Sequence, residues 1–153
     1  MSRKSNCCWC RFFFLAGMCA LIAVNRAIAA ALGSFENPQQ EALTGGVAPG
    51  VGGFIALFIL VALVAPFVEE LFFRGMLYPL LRSRMSAVLA VVANAFLFAV
   101  VHFIPLLIPG LFVVGLFLAY LRERSNSIWP SVLFHTLQNS LALSVIVAAL
   151  SVS

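Results

Sequence analysis

Long apolar runs, separated by short polar or basic segments, divide the chain into helix-length stretches. They run from about Phe12 to Leu32, Phe54 to Leu81, Ser86 to Phe103, Ile104 to Tyr120 and Trp129 to Leu150. A transmembrane helix needs roughly 20 mostly apolar residues, which each stretch supplies or approaches. The pattern predicts an all-α fold: a polytopic integral membrane helix bundle with about five transmembrane helices.

The composition supports the lipid bilayer as the solvent of this chain. Hydrophobic residues make up 63% of it and charged residues 9%, whereas soluble domains have about 45–50% and about 25%. Aspartate is absent, and the net charge of +4 comes from a few Lys and Arg residues near the ends of apolar runs. Such placement is typical of a topology signal, so the lipid bilayer is a predicted partner and nucleic acid is not.

The basic residues predict the orientation of the bundle. They form three clusters: Arg3, Lys4 and Arg11; Arg82 and Arg84; and Arg122 and Arg124. The connector 33–53 and the turn 103–109 contain neither Lys nor Arg. With five spans all three clusters fall on one side, which is the cytoplasmic side by the positive-inside rule. We therefore predict a multi-pass membrane protein with a cytoplasmic N-terminus.

The first 53 residues differ from the rest of the chain. We interpret residues 1–53 as an anchor helix with a polar connector, and residues 54–153 as the functional core. The run "MSRK", "FFFLAGMCALIAV" and "AIAA" also fits a cleaved secretory signal. Arg26, just after the apolar stretch, favours a retained anchor.

Three charged residues interrupt the second apolar run, at Glu69, Glu70 and Arg74. A charge at the bilayer centre costs about 2.5–3.5 kcal/mol on insertion scales, so it must pair or face the bundle interior. Glu70 and Arg74 are four residues apart and can form an ion pair. Glu69 points about 100° away from Glu70. Glu69 is therefore expected to face a polar group on another helix.

Two further apolar runs carry polar side chains at helical spacing. The two faces are Asn94, Phe98 and His102, and Ser131, His135 and Asn139. His102 and His135 are the only histidines of the chain, and both lie in apolar runs. A single histidine in such a run is usually an ordinary interior residue. Two of them, with Glu69 on a third helix, favour a functional site.

These residues form motifs that resemble those of a known family, the intramembrane endopeptidases of the CAAX-prenyl-protease and bacteriocin-processing type (CPBP, or ABI). The family's motifs EExxxR, FxxxH and HxxxN correspond to Glu69-Glu70-Leu71-Phe72-Phe73-Arg74, Phe98-Ala99-Val100-Val101-His102 and His135-Thr136-Leu137-Gln138-Asn139. The resemblance covers about residues 60–145. It implies hydrolysis of a peptide bond in a membrane-associated peptide or protein, such as a prenylated CAAX protein or a leader peptide.

The chemistry of peptide hydrolysis gives these residues roles that agree with the resemblance. The reaction needs a water activated by a base and a stabilised oxyanion. We predict that Glu69 is the base, that His102 holds the same water, and that His135 and Asn139 donate hydrogen bonds to the oxyanion. Three further residues are expected to hold these catalytic side chains in place: Glu70, Arg74 and Phe98.

The sequence leaves open whether the reaction depends on a metal. It also leaves open functions other than peptide hydrolysis. Glu69, His102 and His135 are the kind of donor set that binds a divalent metal such as zinc. The HExxH signature is absent, which favours a metal-free glutamate mechanism with the same residues. A catalytically idle membrane scaffold or immunity protein on the same fold, and a proton-relaying transporter, are the alternatives. Repeated halves are absent, which disfavours the transporter, and intact motif residues favour the protease over the scaffold.

The depth of the two histidines presents a difficulty. In upright helices His135 would lie about 7–10 Å from the basic side and His102 about 24 Å. Their meeting would require residues 76–84 to bend along the cytoplasmic surface. It would also require a third helix that is tilted or begins outside the hydrocarbon.

Overall fold

The computed structural model describes residues 50–150, together with Cys19 and Gly45, and side chains as far as residue 148. Residues 50–150 contain four α-helices and no strand. They are α1 (Val51–Arg82), α2 (Ala87–Val100), α3 (Ile108–Ser125) and α4 (Trp129–Leu150), with a 3-10 turn at Pro105–Leu107. The predicted N-terminal helix, with the choice between anchor and signal, lies outside the described residues.

Three of the helices are long and apolar enough to cross a membrane. They comprise Val51–Arg82 with 32 residues, Pro105–Ser125 with 21 and Trp129–Ala148 with 20. The helix α2 is apolar but shorter, with 14 residues. The predicted all-α membrane bundle is confirmed for the described region. The count of five spans stays a prediction.

The helix α1 is continuous but changes its hydrogen-bonding pattern along its length. Its α-helical segments are Val51–Leu57, Ala65–Glu70 and Tyr78–Arg82, and π-helical segments occupy Phe58–Val64 and Leu71–Leu77. Pro66 and Pro79 lie in the first turn of the α-helical segments that follow. Since proline has no N–H and its ring crowds the preceding turn, a wider turn before it relieves the clash. The helix runs on to Arg82 and is followed by a turn at residues 83–86. The predicted bend of residues 76–84 along the cytoplasmic surface stays a prediction.

The connection between α2 and α3 differs from the predicted helix ends. α2 ends at Val100 instead of Phe103, because Phe103 takes a left-handed conformation with φ 54°. Ile104 is extended, as expected for a residue before proline. α3 accordingly begins at Ile108 instead of Ile104.

At its other end α3 continues beyond the predicted limit at Tyr120 as far as Ser125. Asn126 terminates it with φ 54°, and its N–H donates to the carbonyl of Arg122 over 3.0 Å. Asparagine tolerates the left-handed conformation that such a helix end needs. The extension brings Arg122 and Glu123 into the folded bundle.

Small residues bring α2 and α3 close together. A Cβ placed on Gly115 would lie only 2.9 Å from the Cα of Ala95. Such close contact between backbones is the usual way in which membrane helices pack. The core cluster beside this contact consists of Phe73, Phe98, Val114, Leu118 and Phe134. Phe98 connects this core to the polar site.

Candidate active site

Glu69 lies where three elements of the bundle meet. It belongs to α1, whereas His102 lies in the turn after α2 and His135 lies in α4. The Oε2 atom of Glu69 is 3.9 Å from Nε2 of His102 and 3.9 Å from Nε2 of His135. The same oxygen is buried without a hydrogen-bond partner. The structure thus brings the three side chains together, and the different depths expected from upright helices do not hold.

The other ring nitrogen of each histidine is held by an acceptor. Nδ1 of His102 lies 2.7 Å from the carbonyl oxygen of Phe98. Nδ1 of His135 lies 3.0 Å from Oε1 of Glu70. A carbonyl and a carboxylate can only accept, so in each ring Nδ1 carries the hydrogen. Both imidazoles therefore turn Nε2 toward Glu69, with a lone pair on that atom when the ring is neutral.

Three acceptors consequently converge when both imidazoles are neutral. The Oε2 atom of Glu69 and the Nε2 atoms of His102 and His135 all carry lone pairs in that state. A water molecule has two hydrogens to donate, so it can satisfy two of them. The third acceptor requires a proton on one imidazole or a cation. The arrangement is suited to holding and activating a water molecule.

The donor set also has the chemistry of a zinc site. Two imidazoles and a carboxylate are the ligands of many catalytic zinc ions, and Nδ1 of such ligands is usually held by a second group. The 3.9 Å separations exceed the roughly 3.3 Å expected between two ligands of one tetrahedral zinc ion. In the part of the chain that the structure describes, no group of three or more His, Cys, Asp or Glu side chains is arranged to hold a metal ion. A small inward movement of these side chains would be needed for a metal to bind.

The ion pair expected from the four-residue spacing is present. Nη1 of Arg74 lies 2.8 Å from Oε1 of Glu70, and both side chains are fully buried. Nη2 of Arg74 donates to the carbonyl of Gly115 over 3.2 Å. Because the same Oε1 also holds Nδ1 of His135, the pair fixes an imidazole on a different helix.

Phe98 is the fully buried centre of this arrangement. The guanidinium carbon of Arg74 lies 4.5 Å from the centroid of its ring, a cation–π contact. The rings of His102 and His135 pack edge-on against it, with centroids 4.9 and 5.6 Å away. The FxxxH motif therefore supplies a backbone acceptor for His102 and a packing surface for both histidines.

Asn139 lies about one turn beyond His135 on α4, and its side chain contacts the backbone of α1. Its Nδ2 donates to the carbonyl oxygen of Val61 over 3.1 Å, which ties α4 to the first π-helical segment of α1. An amide nitrogen has two hydrogens, so one remains for another acceptor. Ser131, on the same face of α4, is fully buried and donates to the carbonyl of Leu118 over 3.0 Å.

The family of the chain follows from a comparison with family sequence models. Residues 51–141, more than half of the chain, match the model described as "Type II CAAX prenyl endopeptidase Rce1-like". The chain belongs to the Rce1-like family. Comparison with curated proteins and with solved structures gave no match. The resemblance inferred from the three motifs is thereby confirmed.

Membership of the Rce1-like family has direct consequences. The matched region contains every motif residue from Glu69 to Asn139. The family is one of proteases that process CAAX proteins, which implies a membrane environment and a membrane-associated protein substrate. Together with the long apolar helices, it identifies an integral membrane protein of a protease family.

Two polar contacts of this Rce1-like chain were not anticipated from its sequence. Nδ2 of Asn94, which is fully buried, donates to the carbonyl of Phe73 over 2.9 Å. Nε of Arg122 donates to the carbonyl of Arg74 over 3.0 Å. The sequence offered one signal for the second contact: Pro79 follows Arg74 by five residues, the spacing of a π-helical hydrogen bond.

Proposed function

We propose that this chain hydrolyses a peptide bond near the carboxyl terminus of a prenylated, membrane-associated CAAX protein. The observation that carries the proposal is the convergence of Oε2 of Glu69 with Nε2 of His102 and His135. Membership of the Rce1-like family supports the substrate class. A prenyl group on the CAAX cysteine would keep such a substrate at the membrane.

Glu69 acts as the general base in this mechanism. A water molecule between Glu69 and His102 gives a proton to the carboxylate while its oxygen attacks the carbonyl carbon of the substrate. The new C–O bond produces a tetrahedral oxyanion. The C–N bond then breaks, and the proton held by Glu69 passes to the departing amine. His102 keeps the water in place, since its Nδ1–H is bound to the Phe98 carbonyl and its Nε2 accepts from the water.

His135 acts as the oxyanion donor, which requires a proton on its Nε2. Two carboxylates flank an imidazolium at this position, since Oε1 of Glu70 lies 3.0 Å from Nδ1 and Oε2 of Glu69 lies 3.9 Å from Nε2. Nδ1–H of that imidazolium lies 3.0 Å from Glu70, which leaves Nε2–H for the oxyanion. The second N–H of Asn139 is the further donor.

The same side chains allow a metal-dependent variant of this proposal. Glu69, His102 and His135 would hold a divalent cation such as zinc, which when bound supplies Lewis-acid activation of a water or a carbonyl oxygen. His135 would then be neutral, because its Nε2 would be a ligand. The lack of an HExxH motif favours the metal-free form. Turnover after dialysis against a chelator, with metal analysis of the purified protein, distinguishes the two forms.

The proposed orientation has the basic ends of α1 and α3 on the cytoplasmic side. Nε of Arg82, at the end of α1, lies 3.4 Å from Oε1 of Glu123, near the end of α3. This contact supports a common side for the clusters at residues 82–84 and 122–124, as the positive-inside rule requires. With a further span before α1, the N-terminus of this multi-pass protein would lie on that same side. Reporter fusions at the N-terminus test this arrangement.

Cleavage of defined peptides tests the proposed function. The full-length protein in liposomes is given three quenched reporters: a prenylated CAAX peptide, the same peptide without the prenyl group, and a hydrophobic leader peptide. We expect cleavage of the prenylated CAAX peptide and much slower cleavage of its unprenylated counterpart. Preference for the leader peptide would contradict the substrate class. Folded protein that cleaves none of the reporters would favour the idle scaffold.

A further inference from the structure

The second proline of α1 deprives one carbonyl of its usual partner. The N–H of Tyr78 donates to the carbonyl of Phe73, five residues back, as in a π-helix. In this pattern the next carbonyl, that of Arg74, would accept from residue 79. That residue is Pro79, which has no N–H. The partner comes instead from α3, where Nε of Arg122 lies 3.0 Å from the Arg74 carbonyl oxygen.

The first proline of α1 repeats this arrangement. The N–H of Ala65 donates to the carbonyl of Leu60, again five residues back. The next carbonyl is that of Val61, and the residue five positions after it is Pro66. Here the donor comes from α4, with Nδ2 of Asn139 3.1 Å from the oxygen. The recurrence shows that side chains of neighbouring helices replace the missing proline N–H at both positions.

The carbonyl bound by Arg122 belongs to a residue of the site. The guanidinium of Arg74 pairs with Glu70 at 2.8 Å, and the same oxygen of Glu70 holds Nδ1 of His135 at 3.0 Å. Displacement of the Arg74 backbone would therefore be transmitted to an imidazole of the site. Arg122 itself is held in place, since its Nη1 donates to Oδ1 of Asn126 over 3.0 Å.

We propose that Arg122 is a positioning residue of the proposed active site, made necessary by Pro79. It fixes the backbone of Arg74 and, through Glu70, the orientation of His135. This role rests on the proposed hydrolase function for its effect on turnover. Its effect on the geometry of His135 does not depend on that function.

A cycle of variants in the full-length protein tests the proposal. Arg122→Ala removes the donor, and Pro79→Ala restores an N–H five residues after Arg74. We expect Arg122→Ala to lower kcat on the prenylated reporter by roughly tenfold to a hundredfold, the effect of losing one hydrogen bond to a buried group, with a smaller change in KM. Arg124→Ala removes the same charge from an exposed position of the same helix and should keep the kcat of the parent. The double variant Arg122→Ala/Pro79→Ala should regain the kcat of Pro79→Ala alone.

The ¹⁵N resonances of histidine provide a readout that does not require peptidase activity. The chain has only two histidines, so a His102→Ala sample assigns both. Arg122→Ala should shift the Nδ1 resonance of His135, the double variant should return it, and Arg124→Ala should leave it unchanged. If the parent cleaves no peptide, this experiment still decides the role of Arg122 while the proposed function fails.

Three results would overturn the proposal. The first is that Arg122→Ala has the same kcat and the same His135 resonance as Arg124→Ala. The second is that the double variant has a kcat as low as that of Arg122→Ala. The third applies if Arg122→Ala does not fold. The double variant must then fold, and a double variant that also does not fold would show that the N–H of residue 79 cannot replace Arg122.

Discussion

Loss of the Arg74 side chain should destabilise the bundle strongly. In Arg74→Ala the fully buried Glu70 loses its partner at 2.8 Å, and the carbonyl of Gly115 loses a donor at 3.2 Å. Removing one member of a buried ion pair typically costs about 3–5 kcal/mol. The unpaired carbonyl of Gly115 and the lost cation–π contact with Phe98 increase this cost further. Because these groups are in contact, their separate contributions cannot simply be summed. We expect the free energy of unfolding to fall by at least about 3 kcal/mol.

Reversible unfolding in mixed micelles, followed by tryptophan fluorescence, measures this loss. Arg84→Ala is the matched control, because Arg84 is an exposed arginine just beyond the end of α1; its stability should stay within about 0.5 kcal/mol of the parent. A second variant isolates the cause. Glu70→Gln/Arg74→Met removes both charges and should be more stable than Arg74→Ala, since no buried charge is left alone. Equal stability of Arg74→Ala and Arg84→Ala would refute the reasoning.

Two other substitutions test the packing and the oxyanion donor. Gly115→Ala places a Cβ 2.9 Å from the backbone of α2, so we expect thermal unfolding to show a loss of about 1–3 kcal/mol; Gly52→Ala, which meets nothing within 4 Å, is the control, and equal melting temperatures would contradict the close helix contact. Asn139→Ala should lower kcat by about 10²–10³-fold if the amide serves the oxyanion. Adding Pro66→Ala should restore stability but not kcat, and restoration of both would assign Asn139 a purely structural role.

Local spacing predicted the contacts within α1 and the polar faces of the other helices. The ion pair of Glu70 with Arg74 follows from helical geometry, and the divergence of Glu69 follows from the same geometry. That His102 and His135 both approach Glu69 was expected from the motifs, but upright helices gave them incompatible depths. The backbone of Phe103 explains part of the error, because its positive φ ends the helical path near His102. A left-handed phenylalanine has no recognisable sequence signal.

The π-helical segments could not be foreseen from hydrophobic periodicity. Pro79 follows Arg74 by five residues, but this spacing identifies the carbonyl that needs another donor only once the π-helical pattern is known. From the sequence, Arg122 was interpreted as part of a basic cluster that sets the topology. Its contact with the backbone of Arg74 was therefore not predicted. Such a contact depends on the approach of α3 to α1. That approach is set by tertiary packing, which includes the hydrogen bond from Arg74 to the carbonyl of Gly115 in α3.

The rate of peptide cleavage by Glu69→Gln tests the central claim most directly. Glutamine keeps the size of the side chain but cannot take a proton from water. Glu69 makes no ion pair with a Lys or Arg of the described region, so folding should survive, with a melting temperature close to that of the parent. Single-turnover cleavage of the prenylated CAAX reporter should fall by about 10²–10⁴-fold, as for the loss of a general base. A folded Glu69→Gln protein that cleaves this reporter at the parent's rate would contradict the assignment of Glu69 as the base.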